Sequence, residues 1–423
     1  MTFPFAWNEF ADQPHNVAPR RERLRHHVKH AGSYLALAAA DSALILPVLR
    51  LYRRNMRRMH RLPVEIGTPF AVSCSPAGAR NGEVVESLKA AGIRQTLVRI
   101  PSWERDRLAG HEAFIRLLRG EGMDVVCALL QRREDVLAPA SWSGFLDEVF
   151  SAFSSLCSHF EVGHAWNRTK WGVWDHREYI SLARAAVPLA RKHGARLVGP
   201  AVIDFEFHLY PPTLRAVDFE KASSLLYVDR TGAPENAQFG WTAAKKLALL
   251  KAIVDASTGR PKGLWITEMN WPLAGAGEYS PAPGKPCVSE EDQANYLVRY
   301  FVICLASGFV ERVYWWQLAA PGYGLIDNLG PEWRRRPAFL ALRQMTRLLG
   351  GSRFEGKAPA EGAEVFWFRR EGRRFAVCWT RRGAVDQEFE SVPCQIIGRD
   401  GEERPAGAAG VRLEEKPQYV FTS

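Results

Sequence analysis

This sequence is poor in the signals that assign a chain at sight. Its seven cysteines, at 74, 127, 157, 287, 304, 378 and 394, form no CxxC pair and no metal-ligand spacing. That excludes a zinc ribbon and a disulfide framework. Runs such as Val126-Cys127-Ala128 and Ile303-Cys304-Leu305 instead read as buried thiols in a reducing compartment. No Gly-rich phosphate loop follows the first strand-like run, because Ser75-Pro76-Ala77-Gly78-Ala79 is not GxGxxG. No uninterrupted apolar run reaches the roughly 20 residues of a spanning helix. The most apolar stretch, Tyr34 to Leu51, is broken by Asp41, Ser42 and Pro47. The first nineteen residues carry Glu9 and Asp12, no Lys or Arg, and no apolar core, so a secretory signal is not read there. A cytoplasmic location is the expectation. Internal repeats and low-complexity tracts are also missing.

What is present is an ordinary globular composition, with 47% apolar and 24% charged residues, enough to bury a large core. Two features stand out from it. Fourteen tryptophans offer faces for stacking on sugar rings, if they are not simply core. The net charge of +10 is uneven: residues 1–61 hold eleven Lys/Arg against four Asp/Glu, which is +7 of the total. The basic character therefore belongs to an N-terminal segment that meets something anionic, not to the body of the protein. The apolar stretch closed by Arg50, Arg53, Arg54, Arg57 and Arg58 suits an anionic membrane surface touched through residues 20–61, or packing on the body, or pairing with another copy. It lacks the aromatic interleaving of a nucleic-acid module, and no nucleic acid is expected. Peripheral attachment to the inner face of a membrane follows as an expectation.

From residue 68 the pattern alternates. Strand-like runs at 70–74, 95–100, 124–130, 160–163, 197–203, 224–228, 264–267 and 313–318 are separated by amphipathic helical stretches, among them 81–91, 177–193, 243–258 and 290–307. Eight apolar runs too continuous for a half-exposed sheet, alternating with helices, predict an α/β chain with a parallel sheet closed into a (β/α)8 TIM barrel. A doubly wound open sheet is the runner-up. After Gly350-Gly351, short strand-like runs at 363–369, 374–380, 394–397 and 418–422 predict a small antiparallel domain. The expected division is a basic, partly apolar helical extension at 1–67, a barrel at 68–350, and a small β-sandwich-like domain at 351–423.

The chemistry of such a barrel lies at the C-terminal ends of its strands. There the chain places Arg99, His164 and Asn167, Asp204 and Glu206, Tyr227, Glu268 with Asn270 and Trp271, and Trp315 and Trp316. Glu268 is the focus, because the run Leu264-Trp265-Ile266-Thr267 ends on it and Pro272 takes the chain out of the sheet. Three pieces in order, Leu97-Val98-Arg99-Ile100-Pro101, Trp265-Ile266-Thr267-Glu268-Met269-Asn270, and Tyr314-Trp315-Trp316-Gln317 followed by Tyr323 to Asp327, give a chain that resembles glycoside hydrolase clan A, most like families 5 and 39. The resemblance spans about residues 68–350. It implies a carbohydrate substrate, no cofactor, Glu268 as nucleophile, and Arg99 keeping Glu268 ionised. It also implies that Trp315 or Trp316 floors the sugar site, with neighbours on a strand pointing opposite ways. Tyr227, Asn270, Trp271 and Tyr323 are the further candidates for substrate contact.

The sequence departs from that family at one position that matters. Clan A carries Asn-Glu at the end of strand four, the Glu being the general acid/base; here the stretch is Glu161-Val162-Gly163-His164-Ala165-Trp166-Asn167, with Ala165 in the acid's place. A methyl group cannot protonate a leaving oxygen. Asp204 or Glu206 from strand five, or His164 titrating near neutral pH, are the candidates to stand in; Glu161 lies too deep. The alternative is a catalytically inactive glycan-binding barrel. The loop Trp166 to Trp174, with Arg168 and Lys170 among three indoles, suits an acidic glycan such as a cell-envelope or lipid-linked polysaccharide. His164, Asp204, Glu206 and His208 are ligand-type side chains, but Ser73-Cys74-Ser75 stands where a metal-dependent barrel needs His-x-His, so no metal is expected.

Overall fold

A computed structural model describes residues 5–15, 19–229, 231–282, 284–406 and 410–423. Eight parallel strands close into a barrel: β1 (Phe70–Ser73), β2 (Gln95–Pro101), β3 (Asp124–Leu130), β4 (His159–Val162), β5 (Leu197–Ile203), β6 (Lys221–Leu225), β7 (Leu264–Met269) and β8 (Val310–Trp315). The ring closes where Val313 of β8 pairs with Phe70 of β1. Outward side chains such as Val72, Val98, Cys127 and Ile266 pack against the helices, while Ala71, Leu97, Val126, Val198, Trp265 and Tyr314 fill the interior. This double burial is why the strand sequences read as continuous apolar runs.

Two strands lie earlier than the apolar pattern places them. The run Leu225-Leu226-Tyr227-Val228 outlasts its strand, because the β5–β6 ladder ends at Ile203 opposite Leu225. The Tyr227 amide then folds back on the Leu225 carbonyl, 3.2 Å away. β8 likewise ends at Trp315, so Trp316, Gln317 and Leu318 belong to the loop at the barrel mouth.

The C-terminal strands form one seven-stranded antiparallel sheet. Its far edge strand, Val64–Ile66, comes from the other end of the chain and pairs with Ser352–Ala358. Alternation gives this sheet two apolar faces. Phe366, Phe368, Phe375 and Phe421 belong to the same core as the barrel helices, whereas Val365, Trp367, Ala376 and Val420 pack beneath the small ribbon of Val385–Gln387 and Val411–Leu413. Arg299, wholly buried on the helix Glu290–Leu305, ties the two bodies together by donating to the carbonyls of Thr380 and Glu415.

The N-terminal segment does more than extend. Residues 5–15 make a hairpin, with Trp7 opposite Pro14 and Asn8 opposite Gln13. Three helices follow: α1 (Arg20–Lys29), α2 (Ala31–Ser42) and α3 (Ile45–Arg58). α3 lies on the barrel helix Ala243–Thr258, where buried Asn55 donates to the Ala248 carbonyl at 3.1 Å. Among the described residues no single helix is long and apolar enough to cross a membrane; α2 and α3 together meet that length and composition, but with a 54° bend between them.

Candidate active site

Glu268 ends β7 and faces the barrel mouth at the floor of a cavity of about 340 Å³. Both carboxylate oxygens are engaged. Oε2 accepts from Arg99 Nη2 at 2.5 Å and lies 3.2 Å from His164 Nε2, while Oε1 accepts from the Tyr227 hydroxyl at 2.7 Å. Each partner comes from a different strand end, β2, β4 and β6, so barrel closure alone assembles the cage. Burial by itself would raise the Glu268 carboxyl, but His164, Arg99 and Tyr227 outweigh it and hold the group well below the usual carboxylate range. Glu268 is thus a fixed, ionised carboxylate at neutral pH.

His164 is placed to orient and not to protonate. Burial, then the neighbouring Arg99 charge, push its imidazole down to about 4, so it is neutral at physiological pH. Its ring stands edge-on to Trp171, with centroids 4.6 Å apart. Arg99 is also held from below, its guanidinium lying 3.3 Å from the ring centre of Trp316. Glu161, inside the barrel, is buried, and desolvation with the Glu268 charge nearby raises it to about 7.

The other candidates divide sharply. Asn270 and Trp316 line the cavity, joined by a 2.7 Å bond from the Asn270 amide to the Trp316 carbonyl. Tyr323 stacks on Trp316 from beneath and takes a hydrogen bond from Gln317 at 3.1 Å. Trp315 points the opposite way into the helix layer, stacked with Trp271, and neither lines the cavity. Trp166 is likewise core: it stacks flat on Tyr179 at 4.4 Å and donates to the Pro200 carbonyl. Asn167 clamps β5, its amide bonded to both the N–H and C=O of Ile203. These four therefore act on the shape of the mouth and not on a ligand.

Asp204 and Glu206 share a cation of their own. Arg168 sits between them, pairing with Asp204 at 2.6 Å and with Glu206 more closely still. Asp204 does reach the cavity wall; Glu206 does not. Arg168 is consumed in these pairs, and Lys170 donates to Gln13, so the Trp166–Trp174 loop is pinned instead of open for stacking. The ligand-type residues His164, Asp204, Glu206 and His208 do not form a group of three close enough to share a cation among the described residues. Among the described residues, the group close enough to share a cation is His26, His30 and Asp175, with ligand atoms within 4.8 Å, none of which lines the cavity.

One element of the cavity wall escapes a strand-end reading altogether. The hairpin of residues 5–15 lies across the barrel mouth and brings Ala11, Asp12 and Gln13 to the cavity wall. Asp12 meets Arg99 Nη1 twice, through its backbone carbonyl at 2.7 Å and its carboxylate at 2.9 Å. The short segment is dense in aromatics, with Phe5, Trp7 and Phe10, and Asn8 is followed by a tight turn; those are its only sequence cues.

The fold is that of the clan A glycoside hydrolases: an eight-stranded barrel with a β domain. Solved structures with this architecture include a family 39 glycoside hydrolase from Bacteroides cellulosilyticus WH2, at 15% identity and a TM-score of 0.67, covering 85% of this chain and 81% of that one. A family 30 endoxylanase from Clostridium papyrosolvens C71 aligns at 12% identity and TM-score 0.61, over 86% of this chain and 98% of its own. A family 51 arabinofuranosidase from Xanthomonas axonopodis pv. citri aligns at 13% and 0.54, over 86% and 95%. No family model matches the sequence, and no curated protein matches it either.

Proposed function

We propose that this protein is a glycosidase or transglycosidase acting on a glycan, with Glu268 as the nucleophile and an acid/base that is not at the usual strand-four position. The observation that carries this is the Glu268 cage: an ionised carboxylate at the end of β7, oriented by Arg99, His164 and Tyr227 on a cavity floor. Such a carboxylate attacks an anomeric carbon and holds the glycosyl ester until water releases it. The structural neighbours' named activities on glycans support a carbohydrate substrate. The test is covalent trapping with 2,4-dinitrophenyl 2-deoxy-2-fluoroglycosides, read by intact mass. A glycosyl adduct on Glu268, missing in Glu268→Gln, is expected; an adduct elsewhere, or none across a broad sugar panel, overturns the reading.

Ala165 favours a second reading, a barrel that binds a glycan without cleaving it, because it leaves an apolar wall where the acid should stand. Sugar binding by calorimetry without trapping would select it.

We further propose that the segment 20–61 rests on an anionic membrane surface, with the barrel on the inner, cytoplasmic side. Leu35 on α2 and Ile45 and Leu46 at the start of α3 keep 72%, 60% and 64% of their surface exposed, and Arg50, Arg53, Arg54, Arg57 and Arg58 on α3 follow. Flotation with phosphatidylglycerol vesicles but not phosphatidylcholine vesicles, lost in Ile45→Glu/Leu46→Glu, is the expected result. Equal recovery with both lipids, or with neither, defeats this part.

A further inference from the structure

Ala165 leaves the nucleophile without its usual partner, and both strand-five acids are paired with Arg168. The carboxyl that shares Glu268's counterion comes from the far end of the chain. Arg99 is bifurcated: one terminal nitrogen holds Glu268 and the other holds Asp12. The placement is built, not incidental. Gln13, the next residue, bonds to Lys170 at 2.5 Å and to the Pro281 carbonyl at 2.7 Å, bridging the loops after β4 and β7. Trp7 packs against Trp103 and Trp171, and Phe10 meets Tyr279 edge-on at 4.8 Å. Asp12 itself has φ +47°, a left-handed conformation that aspartate tolerates better than most residues and that turns its side chain into the mouth. With the hairpin in place the cavity over Glu268 persists, with Asp12 on one wall and Ala165 on another.

We propose that Asp12, carried into the barrel mouth by the N-terminal hairpin, is the acid/base partner of Glu268, so that the hairpin completes the catalytic pair that Ala165 leaves incomplete. This rests on Glu268 being a glycosidase nucleophile. A retaining pair needs its carboxyls about 5–5.5 Å apart, a spacing that acids on the two nitrogens of one guanidinium can meet. In the first step a Glu268 oxygen bonds to the anomeric carbon as the bond to the leaving oxygen breaks, and the Asp12 proton passes to that oxygen. In the second, Asp12 carboxylate takes a proton from water, whose oxygen bonds to the anomeric carbon while the glycosyl ester breaks and Glu268 leaves as carboxylate. The charges fit this cycle. Burial raises the Asp12 carboxyl to about 6 against the pull of Arg99, and the charges of Glu268 and Glu104 push it the same way as burial. Esterifying Glu268 removes one of those charges, so Asp12 becomes a weaker acid's opposite, a readier carboxylate, when a base is required.

The experiment compares Asp12→Asn, Asp12→Ala and Asp12→Glu with the full-length wild type on paired glycosides of one sugar, with 2,4-dinitrophenol or an alkyl alcohol as leaving group. Loss of a general acid lowers kcat/KM on the alkyl glycoside by about 10²–10⁴-fold, while the dinitrophenyl glycoside, which needs no proton, still forms the Glu268 adduct. Azide is expected to restore turnover in Asp12→Ala as a glycosyl azide of retained configuration. The wild type is expected to lose kcat/KM above about pH 6, and Asp12→Asn is expected to show no such fall. Asp12→Glu, which keeps the carboxyl, is expected to retain part of the alkyl-glycoside activity and guards against a folding defect in the others. Equal losses for both leaving groups without azide rescue, no loss at all, or a gain of activity that marks the hairpin as a plug would each overturn the proposal. If the wild type cleaves neither glycoside and Glu268 is never labelled, the reading of Glu268 fails and takes this one with it; labelling with unaltered Asp12 variants sinks only the second.

Discussion

Two carboxylate clusters sit at the mouth of this barrel, and they look alike in sequence: an acid at a strand end near a cation. Around Glu268 the cation is Arg99, on β2 across the barrel from β7, buried with it and lining the cavity. Around Asp204 and Glu206 the cation is Arg168, on a loop about a third exposed, and the three close on one another. The difference is burial. In the first cluster the pair is buried on the wall of a cavity where a substrate atom can stand; in the second, Asp204 and Arg168 reach that wall too, but the ion pairs sit in partial solvent and Glu206 lies off it. A strand-end acid is held in one orientation only when the fold buries it with its partners.

That contrast is most directly broken at Arg99. Arg99→Met leaves Glu268 and Asp12 buried without their shared counterion, and loss of one partner of a buried pair costs about 3–5 kcal/mol. Urea denaturation is expected to show that loss, with the hairpin losing its amide-exchange protection as well.

A smaller effect comes from pH. The Asp12 carboxyl rises from 3.8 to about 6 on docking, so the protonated form binds the mouth better than the ionised form. Hairpin docking is therefore fully favoured below about pH 4 and weakens as pH rises through about 6, by up to roughly 3 kcal/mol at 1.36 kcal/mol per pH unit. Arg99, Glu268 and Glu104 are the charges facing Asp12 in that balance. Limited proteolysis within residues 5–15 is expected to be slower at pH 5 than at pH 8, and equally slow at both in Asp12→Asn. A hairpin cut at the same rate at both pH values in the wild type contradicts this.

The smallest effect is expected at the other cluster. Arg168→Ala removes partly exposed ion pairs, each worth about 0–1 kcal/mol, and is expected to leave Glu268 labelling intact. A large loss of labelling would mean that the second cluster also orders the cavity.

Much of this was legible in the residues. The alternation of apolar strands and amphipathic helices called for a closed parallel barrel, and the run into Glu268 with Pro272 behind it marked a strand end. The alternation of neighbours also required Trp315 and Trp316 to part, and Trp316 is the one at the cavity. Which indoles face a ligand was not legible. Trp166 and Trp271 sit past strand ends exactly as a sugar platform would, yet both turn into core because Tyr179 and Trp315 offer them apolar faces there.

The sequence by itself determined the barrel, the β appendage and the place of Glu268 at a strand end, because those rest on periodicities of two and 3.6 residues that are local to each element. Tertiary structure alone decided what surrounds that acid. The pairing of Arg168 with Asp204 and Glu206, the joining of Val64–Ile66 to the C-terminal sheet, and the arrival of Asp12 beside Arg99 all unite residues distant along the chain. No local pattern encodes such contacts; they are fixed only when closure of the barrel brings eight loops, and one hairpin, to the same end of the molecule.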